Sequence, residues 1–324
     1  MRFLVRRSIF YLIAAYAAIT INFFLPRMMV GNPVQMMLGR FQGRMDPSTY
    51  ASLKETFGFV DGPISEQYFS YLKHLAKGDL GLSLAYYPSP VSEVIGPSAL
   101  WTLRLLGLAT IISYVLGTGL GMLAAWQRGK FIDSFILPVA SALSAFPFFW
   151  IAMLVVYEFA FVKGWFPITH SYDVRLDKDW SDPKFVQSVI KHGFLPMMTI
   201  VVTALGGWML GMRNNMIGVL AEDYITMAQA KGLSDRRVMF TYAARNAILP
   251  SLTGFAMSLG FVIGGALVVE LVFAYPGMGY TLLASVNGRD YPLMQGVFLM
   301  ITLSVLIANF LADVIYVLLD PRAR

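Results

Sequence analysis

Residues 222–250 read EDYITMAQAKGLSDRRVMFTYAARNAILP. The stretch carries enough charge to be wet, yet its pattern is helical. Asp223 stands at an N-cap position and Gly232 is a natural helix stop. Leu233-Ser234-Asp235 then restarts the chain with a capping residue. The expected local structure is helix, turn, helix. Ala228 and Ala230, beside Gly232, form a small-residue patch that another protein can approach closely. A solvated loop helix accounts for the charges but not for that patch.

On both sides of this loop the chain turns apolar. Of 324 residues, 57% are hydrophobic and 14% charged, and the mean hydropathy is +0.61. A soluble domain runs at about 45–50% apolar and about 25% charged. One globular core cannot hide this excess, so a soluble enzyme, a disordered chain and a collagen-like fibre are excluded. A spanning helix needs about 20 mostly apolar residues. Six stretches qualify: 8–25, 99–126, 132–162, 194–212, 249–273 and 295–319. The third is long enough to be tilted or broken near Phe146-Pro147. Ala15-Tyr16-Ala17 resembles a leader-cleavage site but lies inside the first apolar run, which is therefore read as a span.

The basic residues set the orientation. Pieces 1–7, 127–131, 213–248 and 320–324 hold 12 Lys and Arg in roughly 50 residues. Pieces 26–98, 163–193 and 274–294 hold 12 in roughly 125, nearly balanced by 11 acids. Both termini are thus expected on the cytoplasmic side. The fold class is an all-α polytopic membrane protein with six helices. Residues 1–25 carry the first, 26–98 form an external segment, and 99–324 form a core with five more helices and the loop at 213–248. The external segment is turn-rich, with Gly31-Asn32-Pro33, Asp46-Pro47, Asp61-Gly62-Pro63, Pro88 and Pro90, and a helical pattern over 67–73.

Several chemistries are missing from the sequence. With no cysteine there is no disulfide, Fe–S cluster or thiolate metal site. His74, His170 and His192 are too dispersed to suggest a metal centre. No phosphate loop exists, because Gly129-Lys130 lacks the upstream glycine and the following hydroxyl residue. No hydrolase motif appears either, so no catalytic residue is expected. The basic charge follows membrane topology and implies no nucleic-acid partner.

The 222–250 stretch resembles the EAA loop of ABC-importer permeases. Its continuation through Arg245-Asn246-Ala247-Ile248-Leu249-Pro250 is similar to the dipeptide/oligopeptide/nickel branch, B-type subunit. Further blocks match in order: Gly78-Asp79-Leu80-Gly81; Arg128-Gly129-Lys130 with Asp133; Glu270 to Gly279; Arg289-Asp290-Tyr291-Pro292; Asn309 to Asp313; and Asp320-Pro321-Arg322. The resemblance implies a type I importer fold and a second permease subunit. It also implies two ATP-binding subunits that carry ATP and Mg, an external solute-binding protein, and no cofactor on this chain. It implies that the loop couples to the ATPase through Asp223, Tyr224, Thr226, Ala228, Lys231, Gly232, Leu233 and Ser234. The branch imports peptides, oligosaccharides or nickel. An ion-coupled secondary transporter or channel is the reading of a different class.

Arg104, Glu158, Glu270 and Asp313 lie in or at the edge of spans, where charge needs a partner or water. Glu158 or Glu270 is placed to pair with Arg104. Asp313 is placed near Arg213, Arg245 or Arg128. The choice is between gate or substrate contacts and helix-packing pairs. Gly117-x3-Gly121, Gly207-x3-Gly211 and Gly260-x3-Gly264 are spaced for close helix contacts. Tyr68, Phe69, Tyr71, Tyr86 and Tyr87 either dock a binding protein or anchor at the membrane surface, where lipid is the partner.

Overall fold

A computed structural model describes residues 2–28, 63–264 and 267–319. The expected turns at Gly31-Asn32-Pro33 and Asp46-Pro47, and the block at Asp320-Pro321-Arg322, lie outside them. The described residues are helical, apart from loops and a single bridge between Leu82 and Pro90. In chain order the helices are α1 (Arg2–Arg27), α2 (Ile64–Ala76), α3 (Val91–Trp126), α4 (Ile132–Ala145), α5 (Phe148–Val162) and α6 (Pro183–Leu220). Then come α7 (Asp223–Ala230), α8 (Arg245–Phe261), α9 (Leu267–Val272), α10 (Met278–Asn287) and α11 (Tyr291–Leu319). A short helical turn, Asp235–Arg237, and a π-helical turn, Val238–Ala244, lead into α8.

Four of these helices are long and apolar enough to cross a membrane. They are α1 over Arg6–Phe24, α3, α6, and α11 over Tyr291–Leu311. They contain most or all of the first, second, fourth and sixth apolar stretches. The third is broken where Phe146 precedes Pro147. Phe146 adopts extended backbone, and α4 and α5 meet at 99°. Proline disfavours helical geometry in the residue before it and has no N–H to continue the ladder. The fifth stretch is not one continuous helix. After α8 a 3-10 turn covers Val262–Gly264, and α9 follows.

Helix α3 packs along α6, and glycine makes the approach possible. A Cβ on Gly121 would strike the Met209 carbonyl, and one on Gly117 would lie 2.5 Å from Trp208 Cβ. Gly260 meets Ala308 of α11 in the same way. The 207/211 pair behaves differently from expectation. Neither glycine has a neighbour within 4 Å, and Gly206 makes the contact instead, against Ala140 and Ser144 of α4. Small size permits a contact, but helix rotation decides which glycine uses it.

Two buried clusters sit at opposite ends of the α3–α6 pair. One joins Trp101, Leu105, Phe185, Leu195, Phe273 and Tyr275. The other joins Ala125, Met212, Met216, Ile225, Ala228 and Val238. Large apolar side chains such as Leu12 (70% exposed) and Phe161 (68%) point outward, as a lipid-facing surface requires.

Candidate functional site

The second cluster fixes the 213–248 loop. Helix α7 has only eight residues, too few to be stable alone in water. Ile225 and Ala228 anchor it, three residues apart on one face and nearly fully buried (2% and 4% exposed). They pack among side chains from the adjoining ends of α3 and α6 and from the turns before α8. Tyr224, Met227 and Lys231 take the other side and are exposed, Met227 at 60%. Asp223, Thr226, Ala230, Gly232 and Ser234 are exposed as well, while Leu233 is half-buried.

Two details of the loop differ from the sequence reading. Glu222, not Asp223, occupies the N-cap of α7, and Asp223 sits in the first turn, where its charge favours the helix dipole. Ala228 belongs to this chain's own core and is not part of a patch offered to a partner. Gly232 does end the helix. Its φ is +73°, its N–H donates to the Gln229 carbonyl (2.9 Å), and Leu233 N–H reaches the Ala228 carbonyl (3.3 Å). A left-handed residue after a helix is the position where glycine avoids a Cβ clash.

The intramembrane charges do not converge on one another. Arg104 stacks over Trp180 (4.3 Å to the ring centre) and Trp101 (5.0 Å), and no carboxylate among the described residues pairs with it. Glu158 pairs instead with Lys163 (2.9 Å), whose ammonium also lies over Trp165 and Phe159. Asp313 accepts from Tyr11 Oη (2.8 Å) and faces Arg7 Nε (3.4 Å), both on α1. Arg213, placed near Asp313 by the sequence reading, is bound by Asp133.

Glu270, on α9, is completely buried, with its carboxylate against the first turn of α10. Its carboxylate accepts from Thr102 Oγ1 (2.7 Å), Gly279 N–H (2.7 Å) and Tyr280 N–H (3.2 Å). Thr102 Oγ1 in turn accepts from Met278 N–H (2.7 Å). The first N–H groups of a helix have no partner inside it and favour an anion. A Cβ on Gly277 would run into the Glu270 carboxylate, so the glycine leaves the room the acid needs. Glu270 thus joins α9, α10 and α3.

Asp290 plays a similar part and was not among the sequence-derived site residues. Fully buried, it accepts from Ser83 Oγ, Ala85 N–H (2.9 Å) and Leu293 N–H (3.0 Å). It caps α11 and pins the segment ahead of α3. Nearby, Asp79 accepts from Gly81 N–H (2.9 Å) and bonds His74 Nδ1 (2.9 Å), which hold its carboxyl below the usual range. Tyr68 and Tyr71 pack on Phe23 of α1 (5.1 and 5.5 Å), whereas Phe69, Tyr86 and Tyr87 are exposed.

Residues 117–324 match the family described as binding-protein-dependent transport system inner membrane component. The chain belongs to that family. Full-length relatives agree. The di/tripeptide transport system permease of Pseudomonas aeruginosa is 32% identical, covering 99% of this chain and 98% of its own. The oligopeptide transport system permease of Bacillus subtilis is 30% identical, covering 99% and 98%. The dipeptide transport system permease of Escherichia coli K12 is 30% identical over 100% and 99%.

The chain is therefore a multi-pass inner-membrane permease subunit of an ABC importer, and not itself an enzyme. It works with a partner permease, ATPase subunits and a binding protein. The permease's motif blocks now have physical content: Glu270 with Gly277 and Gly279, Asp290 with Ser83, and Asp79 with Gly81. Sequence reading missed Met227, although the spacing of Ile225 and Ala228 implies an outward residue there.

Proposed function

We propose that the permease crosses the membrane six times with both termini in the cytoplasm, α4–α5 and α8–α9 each supplying one interrupted crossing. It pairs with a second permease above two ATP-binding subunits, which hold ATP and Mg. The outward face of α7, with Asp223, Tyr224, Thr226, Met227, Lys231 and Gly232, docks on one ATPase. Closure of the ATPase pair moves α7, and the cluster around Ile225 and Ala228 passes that motion to α3, α6 and α8 as a rigid-body displacement. The solute is a short peptide delivered by the binding protein.

The observation that carries the substrate is that relatives covering almost the entire chain are named for dipeptide, tripeptide or oligopeptide transport. The test is uptake into proteoliposomes holding both permeases and both ATPases, with the binding protein outside. ATP-dependent uptake of labelled di- and tripeptides is expected. Uptake of oligosaccharides in their place overturns the substrate. Uptake driven by a pH gradient without ATP overturns the mechanism.

A further inference from the structure

A cleft of about 620 Å³ opens where α6 begins, beyond the apolar stretches. One wall is a single helix face. Lys184, Gln187, Ser188 and Lys191 fall at i, i+3, i+4 and i+7. The facing wall is the loop that carries His170 and Arg175. This loop is fastened at three points. Asp173 N–H donates to Ser188 Oγ (2.8 Å), His170 N–H donates to the Phe273 carbonyl (3.2 Å), and Tyr172 stacks on buried Trp101 (5.8 Å). The cleft is therefore built by tertiary contacts and does not depend on a loose connection.

Its charge is unbalanced. Arg175 is matched by Asp173, with both guanidinium contacts at 3.0 Å or less. That pairing holds the Asp173 carboxyl down at about 2, so its negative charge is already committed. Lys184 and Lys191 have no carboxylate within 4.0 Å among the described residues. Seven residues of helix set these two ammonium stems about 10 Å apart. A zwitterionic short peptide fits poorly, because it has one carboxylate and brings its own ammonium. The headgroup layer is roughly 5–7 Å thick on each side. Lys184 lies ten residues before Phe194, about 15 Å along the helix from the apolar stretch and beyond the reach of lipid phosphates. Lys191, three residues before Phe194, lies about 4.5 Å from it, within the headgroup layer. A lipid phosphate can therefore meet one ammonium but not both.

We propose that this cleft receives an acidic segment of the solute-binding protein, with two carboxylates about 10 Å apart meeting Lys184 and Lys191. The inference rests on the topology proposed above, which places residues 163–193 outside. The experiment uses the full transporter in nanodiscs of zwitterionic lipid and measures the affinity of fluorescent binding protein. The Lys184→Glu/Lys191→Glu variant is expected to bind roughly tenfold or more weakly at low salt, with the difference closing at high salt. The Lys184→Arg/Lys191→Arg variant should keep wild-type affinity. Equal affinity for the charge-reversed and wild-type transporters overturns the proposal. So does a defect that appears only when phosphatidylglycerol is added, which would make the cleft a lipid site. The chain has no cysteine, so Lys184→Cys gives one labelling position. Failure of an impermeant maleimide to reach it from outside would sink the topology itself. External labelling combined with charge-insensitive docking would sink the cleft alone.

Discussion

The side-chain amide of Asn246 donates to the Tyr224 hydroxyl at 2.9 Å, and so ties α7 to the first turn of α8. Asn246 also donates to the Tyr242 carbonyl (3.1 Å), which fixes its rotamer. A helix of two turns is thereby held to the helix that returns into the apolar region. Burial of Ile225 and Ala228 sets where α7 lies, and this bond resists its sliding.

Removing the bond should loosen coupling without unfolding the chain. A single hydrogen bond contributes about 1 kcal/mol net, roughly a fivefold change in an equilibrium. Tyr224→Phe and Asn246→Ala are each expected to lower peptide transported per ATP hydrolysed severalfold while expression stays normal. The stoichiometry is read in proteoliposomes. Wild-type stoichiometry in both variants would remove this bond from the coupling path.

Neighbouring residues on α7 should fail in different ways. Met227→Glu puts a charge on the outward face and is expected to weaken ATPase binding while leaving the thermal stability of the permease unchanged. Ala228→Phe overfills a closed cluster, at a cost of about 1–3 kcal/mol, and should lower the melting temperature or yield. Pull-down with the ATPase and a melting curve separate the two outcomes. A stable Ala228→Phe variant that has lost only its ATPase would return Ala228 to the docking face.

The Glu270 site predicts a graded series. Glu270→Ala leaves the N–H groups of Gly279 and Tyr280 and the Thr102 hydroxyl without their acceptor, and each hydrogen bond to a charged group is worth about 1.5–3 kcal/mol. Loss of folded protein is expected. Glu270→Gln keeps one acceptor oxygen and should be milder. Gly277→Ala should resemble Glu270→Ala although no charge is removed, because the Cβ takes the carboxylate's space. Detergent-resistant folding, followed by gel filtration, gives the comparison. A fully stable Gly277→Ala variant would contradict the packing described here.

Asp79 predicts a pH dependence in the segment ahead of α3. Its carboxyl is held below the ordinary value of 3.8, first by Gly81 N–H and then by His74. A depressed carboxyl stabilises the fold fully above its unfolded value, and that contribution is lost as pH falls through the folded value. Thermal stability should therefore drop below about pH 4, and part of that slope should vanish in Asp79→Asn. The effect will be small, because both side chains are about half exposed. An unchanged slope in Asp79→Asn would assign the acid sensitivity to other carboxylates.

Hydrophobic runs, punctuation and spacing were legible along the chain. The break at Phe146-Pro147 follows from proline's effect on its predecessor, and the stop at Gly232 from its tolerance of left-handed backbone. The membrane class followed from an apolar excess that no soluble core can absorb. These are local or additive properties, and neighbours in the chain decide them.

Partner choice was decided only in three dimensions. Glu270 took helix N–H groups and Thr102, not Arg104. Asp313 turned to α1, and Arg213 to Asp133. Gly206, not Gly207, met α4, and Ala228 faced inward. Each depends on how far one helix is rotated and shifted against another. A rotation of about 100° per residue moves a side chain from a contact to open space without changing the hydrophobic pattern. The sequence determined that residues 222–232 form a short helix closed by Gly232. The packing of Ile225 and Ala228 decided which side of that helix is left exposed.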